Sequence, residues 1–262
     1  RREPYQTLAD AVRWGNEAVR LDPNLAKGYA ARGAARIETG VRPELALADI
    51  ERAVTLAPAD GTIRVYRGIA LARTGRYDEA IEELEVAAAL DPLSAATRGG
   101  GLALTALGGR RYRLAAEQAS LAAARDPAFA GWRAIEGLAL MLGGNPAACA
   151  ALSLEAEGLG VAALCQRRLG NVEGAAAIVD SLIRLAAAGK AEVYSLSFLA
   201  AYRAEEADAK GTIEWLERAF LLSPSAFDFR FLDSGLFDRI REDPAFDTGM
   251  AAIGARVRAR FN

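Results

Sequence analysis

Cys149 and Cys165 are the most nucleophilic side chains of this 262-residue chain, and the chain has no histidine to activate them. A cysteine nucleophile normally works beside a general base, and imidazole is also the commonest metal ligand in proteins. We therefore expect neither a thiol-based active site nor a zinc site. We interpret Cys149 as a small buried thiol. A disulfide with Cys165, on the next predicted helix, is also geometrically conceivable.

Glycine runs and paired acids are the other residues whose spacing could do chemistry. Residues 99–101 and 108–109 are all glycine, but no strand is predicted before them and no Gly-Lys-Ser/Thr follows, so they do not form a phosphate-binding loop. Glu82 and Glu83 are adjacent on a predicted helix and therefore point to different sides. The sequence predicts no catalytic, cofactor or metal site, and we expect that the chain is not an enzyme.

The charge balance argues against binding to nucleic acid. The chain has 32 basic and 34 acidic residues, with a net charge of −2 and a pI of about 5.5, so no basic excess is available to neutralise phosphates. The longest apolar runs, such as residues 137–142, are too short to span a bilayer, and no signal-peptide pattern is present. We expect a cytoplasmic chain, or the soluble part of a membrane-anchored protein.

Prolines recur along the chain with a fixed period, together with small residues at fixed offsets. Pro23, Pro58, Pro92 and Pro127 are 35, 34 and 35 residues apart. A small residue lies five positions before each proline, and a second lies seven positions earlier still. They are Ala18, Ala53, Ala87 and Ala122, and Ala11, Ala46, Ala80 and Ala115. The positions ten residues after each proline hold Gly33, Gly68, Leu102 and Gly137. One period shared by several independent positions indicates a repeat protein.

The unit that ends at Pro92 carries the most regular pattern. Its marker residues are Gly68, Leu71, Gly75, Tyr77, Ala80, Leu84, Ala87 and Pro92. This set resembles the consensus of the tetratricopeptide repeat, and the resemblance extends unevenly over residues 8–224. It implies two helices in each unit, the first predicted over residues 62–74 and the second ending near Leu90. Stacked units would form an all-α right-handed α-solenoid.

The spacing divides the chain into one continuous array. We expect a partial first repeat at residues 1–23 and full repeats at 24–58, 59–92, 93–127, 128–158, 159–190 and 191–224. The fifth full repeat is short, so its first helix is predicted to be truncated near residues 158–160. Residues 225–262 contain six of the nine phenylalanines. Because the last unit of a solenoid would otherwise expose an apolar face, we interpret them as a C-terminal aromatic helical cap.

The resemblance implies that the first helices line a concave groove. Counting from Gly68 and its equivalents, the predicted partner-binding residues are mostly apolar. They are Ala30, Ala34, Ile37, Val65, Ile69, Arg73, Ala103, Leu107, Leu138 and Met141. Two interpretations stay open: an apolar groove for a partner helix or extended segment, or internal packing against neighbouring helices or a tail folded back. Arg64, Arg67, Arg73 and Arg98 form either a basic rim of the groove or a solvated helix face.

The sequence therefore predicts a scaffold that binds a protein or peptide partner. Residues 231–246 are also similar to the segment that closes tetratricopeptide modules in bacterial multidomain regulators, notably serine/threonine kinases. That similarity implies a regulatory or docking module of a larger signalling protein. Alternatives are a self-association scaffold and a small-molecule sensor with its pocket inside the superhelix. We expect a monomer or a weak homo-oligomer.

Overall fold

The computed structural model describes residues 4–39, 42–91, 95–154, 158–191, 193–222 and 229–259, and every regular element within these ranges is helical. The helices are α1 (Pro4–Leu21), α2 (Ala26–Thr39), α3 (Pro43–Leu56), α4 (Gly61–Arg73), α5 (Tyr77–Leu90), α6 (Ala95–Gly108), α7 (Tyr112–Arg125), α8 (Gly131–Leu142), α9 (Pro146–Ala150), α10 (Leu159–Arg168), α11 (Val172–Ala187), α12 (Val193–Glu205), α13 (Ala209–Leu222), α14 (Phe229–Asp233) and α15 (Pro244–Ala259), with a 3₁₀ turn at Asp238–Ile240. From α2 to α13, consecutive helices pair into helical hairpins, α2 with α3 and so on to α12 with α13. We call the two members of each hairpin its first helix and its second helix. The fold is an α-solenoid.

Local signals at the ends of α4 explain why its hairpin forms where it does. The Asp60 carboxylate accepts hydrogen bonds from the backbone N–H groups of Thr62 and Ile63, which have no partner within the helix. After α4 the chain reverses at Gly75, whose φ of +79° is accessible to glycine at little cost. The predicted start and stop of this helix are each within one residue of the observed ones.

Close packing inside the hairpins requires the glycines at the repeated position. A Cβ atom on Gly33 would lie 2.6 Å from Ile50 Cδ1, and one on Gly68 would lie 2.6 Å from Leu84 Cγ. Both neighbours are on the second helix of the same hairpin, so the two glycines have equivalent surroundings. This equivalence confirms the repeat as the unit of packing.

The array curves towards its first helices. Consecutive first helices contact each other: α2 with α4, α4 with α6, α6 with α8, and α10 with α12. Within the described residues, consecutive second helices lie further apart. We call the side of the first helices that faces the inside of this curve the inner face.

The repeat pattern breaks in the middle of the chain. Helix α9 has only 5 residues and α10 only 10, so the second helix of one hairpin is shortened as well as the first helix of the next. Cys149 and Cys165 form a disulfide between these helices, with their Cα atoms 6.1 Å apart. Cys149 is buried, as interpreted, but it forms the disulfide that the sequence left open and is not a thiol: the shortened α9 brings it against α10, where both cysteines are buried.

The C-terminal residues do two different things. Helix α15 packs on α13, where it buries Phe246 and Ile253, and so covers the last hairpin as the cap interpretation expected. Residues 229–240, which we call the return segment, instead run back to α4, α6 and α12. Residues 225–228 and 260–262 of the predicted cap lie outside the described residues. No helix among those described is long and apolar enough to cross a membrane.

Candidate functional site

The inner face of the two N-terminal hairpins is partly open. Of the residues predicted there, Ala34, Val65, Ile69 and Arg73 are half-buried. Ala30 and Ile37 are buried, Ile37 beside Ile50 and Ala70 in a small cluster. We call the four half-buried residues the open stretch. It offers apolar surface with one arginine at its end.

The same face is closed in the next two hairpins. Ala103, Leu107, Leu138 and Met141 are at most 1% exposed. The last three belong to one large buried cluster that also contains Phe231, Leu236 and Phe237 of the return segment. At these four positions the residues pack internally, as the alternative interpretation of the groove stated.

Side-chain hydrogen bonds hold the return segment on the array. The Tyr77 hydroxyl donates to Asp233 Oδ2 at 2.5 Å, and the Tyr112 hydroxyl donates to the carbonyl oxygen of Ser234 at 2.8 Å. These tyrosines are equivalent, each being the first residue of a second helix. Two repeats therefore use the same position to grip one non-repeat segment.

Arginines add charged contacts at both ends of the segment. Arg110 donates to both carboxylate oxygens of Asp238 at 2.7 and 2.8 Å. Arg230 is buried and donates to Thr105 Oγ1 at 3.3 Å. Arg239 donates to the carbonyl oxygen of Glu205 at 2.9 Å. The segment is thus bound by groups from α6, α12 and the turn between α6 and α7.

The return segment perturbs two titrating groups. The hydrogen bonds from Arg110 hold the pKa of the Asp238 carboxyl below its ordinary value. Burial raises the pKa of the Tyr112 hydroxyl. Both shifts follow from seating the segment, since the charged form of Asp238 is paired there and Tyr112 is partly removed from water.

The arginines of the N-terminal hairpins clasp carboxylates between helices. Arg64 and Arg67 both donate to Glu83, at 2.8 and 2.6 Å, and Arg67 also reaches Glu51 on the preceding second helix at 3.1 Å. In the preceding hairpin, Arg32 takes the place of Arg67 and pairs with Asp49 at 2.5 Å. Arg64 and Arg67 are therefore part of the packing between helices and do not form a rim. Arg98 lies where the structure describes no side chains.

An aromatic pocket opens beside the return segment. Its volume is about 170 Å³, and five aromatic side chains from α8, α12, α14 and the turn before α8 form most of its wall. They are Phe129, Trp132, Tyr194, Phe198 and Phe231. The wall also includes Leu104, Ala134 and Ile135. Sequence reasoning missed this site. The phenylalanine-rich tail was the available signal.

The described residues contain no group of three or more cysteine, aspartate or glutamate side chains placed to hold a metal ion. Their buried carboxylates have other partners: Glu205, for example, pairs with Arg168 and lies 3.6 Å from Arg239. The site offers apolar and aromatic surface for contact.

Comparisons with known proteins agree with this architecture. Residues 42–95 match the family model of the tetratricopeptide repeat. No curated protein matches the sequence. The structure is similar to a tetratricopeptide repeat protein from Parabacteroides merdae, with 11% identity over 88% of this chain and 91% of that one, and a TM-score of 0.60.

Two further solved structures share the fold. The type IV pilus biogenesis factor PilW is 18% identical over 68% of this chain and 85% of its own, with a TM-score of 0.58. The APC/C hetero-tetramer Cut9–Hcn1 is 16% identical over 89% of this chain, which spans 46% of the matched one, with a TM-score of 0.56. The molecule is thus an α-solenoid of helical hairpins. Its residues 42–95 are similar to tetratricopeptide repeats.

Proposed function

We propose that this chain is a protein-interaction scaffold that binds a segment of a partner protein on its inner face. The observation that carries the proposal is the return segment itself. First helices and the start of a second helix bind a short, non-repeat stretch of chain through Phe231, Arg230 and Asp233. The open stretch offers the same kind of surface and is only half-buried by the described residues.

The chemistry of the open stretch favours an apolar peptide or a helix face. Val65 and Ile69 are one helical turn apart on α4, and Ala34 is the equivalent of Ile69 on α2. Side chains with this spacing suit the apolar stripe of a partner helix. Arg73 lies one turn beyond Ile69, at the end of the open stretch.

Peptide display on the folded chain, followed by calorimetry with the selected peptides, tests this proposal. The double variant Val65→Glu, Ile69→Glu should weaken binding by about tenfold or more, because it places two charges in the apolar contact. Val86→Glu is the matched control, since Val86 is exposed on α5, the second helix of the same hairpin. A double variant with unchanged circular dichroism and unchanged affinity would overturn the proposed location.

We further propose a binding role without catalysis. The buried carboxylates Asp49, Glu83 and Glu205 support this, because each is paired with at least one arginine and none is left for acid–base work. The resemblance of residues 231–246 to kinase-linked modules supports a docking role within a larger signalling protein. Immunoblotting of native lysate with an antibody to this chain tests that role: a band near 27.7 kDa would contradict it.

Self-association is the second candidate function. Trp14 and Leu21 are 63% and 69% exposed on α1, whereas Trp215 on α13 is buried. Exposed tryptophan and leucine on one terminal helix favour contact with a second copy. Light scattering over a range of concentrations would detect it. The mass should then fall towards that of a monomer in a Trp14→Ser, Leu21→Ser variant.

A further inference from the structure

We propose that the aromatic pocket receives one aromatic side chain of the bound partner peptide. This inference rests on the proposed function and adds a specific anchor to it. The pocket lies between α6, α8, α12 and the return segment, outside the open stretch of α2 and α4. Its position gives a partner a second contact point on the inner face.

The size of the pocket fits a single ring. Its volume of about 170 Å³ is close to that of a protein cavity of about 150 Å³ that binds benzene. Pockets for whole drug-sized ligands or cofactors are larger, at roughly 300 Å³ or more. A ring carried by a peptide also gains from the contacts of its neighbours, which makes it an effective interface anchor.

The wall of the pocket has the chemistry that a ring needs. Phe129 and Trp132 meet edge to face with their centroids 4.9 Å apart, and Phe198 and Phe231 do so at 6.1 Å. These two pairs offer both faces and edges to an incoming ring, the arrangement that aromatic groups prefer. Phe231 is itself an aromatic side chain that a non-repeat segment has delivered to this wall.

Trp132, one of the wall residues, carries a polar atom without a partner among the described residues. Trp132 Nε1 is buried and finds no hydrogen-bond acceptor among the described residues. A buried N–H without an acceptor is unfavourable, and a peptide supplies carbonyl oxygens next to its side chain. An aromatic residue within a peptide therefore matches the pocket better than a bare hydrocarbon ring.

Nuclear magnetic resonance of the ¹⁵N-labelled chain tests the inference directly. The three tryptophans give three indole N–H signals, and Trp132→Phe assigns the one from the pocket. Titration with N-acetyl-phenylalaninamide should shift the Trp132 signal saturably and leave those of Trp14 and Trp215 in place. N-acetyl-leucinamide, which lacks the ring, should bind about fivefold more weakly.

A variant of the wall provides the second measurement. Tyr194 is 40% exposed, so Tyr194→Ala should leave the thermal unfolding of the chain nearly unchanged while it weakens the aromatic probe by about fivefold. Val172→Ala is the matched control, because Val172 is exposed outside the pocket. Toluene is the probe for a ring without a peptide.

Each outcome separates the alternatives. No saturable shift of Trp132, equal binding of the leucine and phenylalanine amides, or tighter binding of toluene than of the amides would each overturn the inference, the last by indicating a free aromatic ligand. If display-selected peptides respond to the Val65 and Ile69 substitutions but not to Tyr194→Ala, the anchor fails while the proposed function stands. If the amide titration succeeds and those substitutions change nothing, the open stretch fails instead.

Discussion

The N-terminal hairpins and the rest of the molecule are built on different plans. Helices α2–α5 bury several small clusters, such as Ile37, Ile50 and Ala70, and join neighbouring helices by arginine–carboxylate clasps. From α6 to α15 one large cluster runs through all the hairpins and includes the return segment, beside a small separate cluster of Ala103, Ala119 and Ile135. The first plan is a true repeat array, in which each unit depends only on its neighbours. The second resembles a globular domain, because residues far apart in sequence share one core.

The difference explains where the inner face is open. Repeats alone leave their concave side uncovered, and only a segment outside the repeats can fill it. The return segment reaches α4, α6 and α12, so the face is filled there and stays open over α2 and part of α4. The open stretch and the large buried cluster therefore lie in different halves of the chain.

Removing a ring from the large cluster should have the largest effect. Phe237 is completely buried and stacks on Phe246 at 6.0 Å. We expect Phe237→Ala to lower the free energy of unfolding by about 3–5 kcal/mol, because it leaves a cavity. Urea denaturation measures this. Leu221→Ala on α13, where Leu221 is 50% exposed, should cost far less, and similar losses in both variants would contradict a core shared with the return segment.

The disulfide should contribute nearly as much to the stability of the region from α6 to α15. Cys149 and Cys165 close a loop of 16 residues, for which the loss of chain entropy in the unfolded state predicts about 3 kcal/mol. The double variant Cys149→Ala, Cys165→Ala should lose this stability. The wild type in excess reductant should unfold at the same denaturant concentration as the double variant. Free thiols detected in the denatured, unreduced wild type would show that the bond is not formed.

The repeats were predictable from sequence because their contacts recur. Gly33 and Gly68 report the same helix contact one period apart, and this regularity gave the helices, the hairpins and the α-solenoid. The return segment has no such signal. Most of its partners, such as Thr105 for Arg230, are more than 100 residues away in the sequence. The pocket escaped prediction for the same reason, since residues from α6 to α14 form it together.

Exposure of the groove residues also could not be read from their type. Ile69 and Leu138 are equivalent inner positions, each one residue after a repeated glycine, and both are apolar, yet one is half-buried and the other completely buried. What differs is the segment that folds over them. The role of the arginines could not be read from the sequence either. Their spacing fits a basic rim or a solvated face, but Arg64 and Arg67 form ion pairs with buried acids on neighbouring helices.

Removing the carboxylate of one arginine–carboxylate pair should affect only the N-terminal hairpins, α2–α5. Asp49 is 5% exposed and accepts from Arg32 and Arg36 at 2.5 Å each. We expect Asp49→Ala to cost about 2 kcal/mol, less than a fully buried pair loses, because the arginines can turn towards water. Hydrogen exchange should become faster in α2 and α3 and stay unchanged in α10–α13. Glu44→Ala, at an exposed site on α3, is the control, and uniform acceleration along the chain would contradict two separate plans.

The hydrogen bond between Tyr77 and Asp233, which joins the N-terminal hairpins to the return segment, should have an intermediate effect on stability. Tyr77 begins α5, and its hydroxyl binds Asp233 of the return segment. Tyr77→Phe keeps the ring and should cost about 1.5 kcal/mol, as expected for a bond to a charged acceptor. Tyr66→Phe is a matched change on α4. If Tyr77→Phe leaves the exchange rates of α14 unchanged, the segment is held without help from the N-terminal hairpins.

The smallest effect should come from acid, through Asp238. Because Arg110 lowers the pKa of this carboxyl below its ordinary 3.8, the ion pair stabilises the folded chain fully above that value. The stabilisation is then lost as the pH falls through the lowered folded pKa. Both side chains are nearly half exposed, so the contribution at neutral pH is about 1 kcal/mol or less and should shrink in high salt. Asp238→Asn should remove this part of the acid dependence while it leaves Asp49 and its clasp intact. Measuring the free energy of unfolding against pH for the wild type and for Asp238→Asn isolates the contribution of the ion pair. Parallel curves between pH 5 and pH 2 would mean that apolar contacts and uncharged hydrogen bonds hold the return segment, and that the pair with Arg110 only orients it.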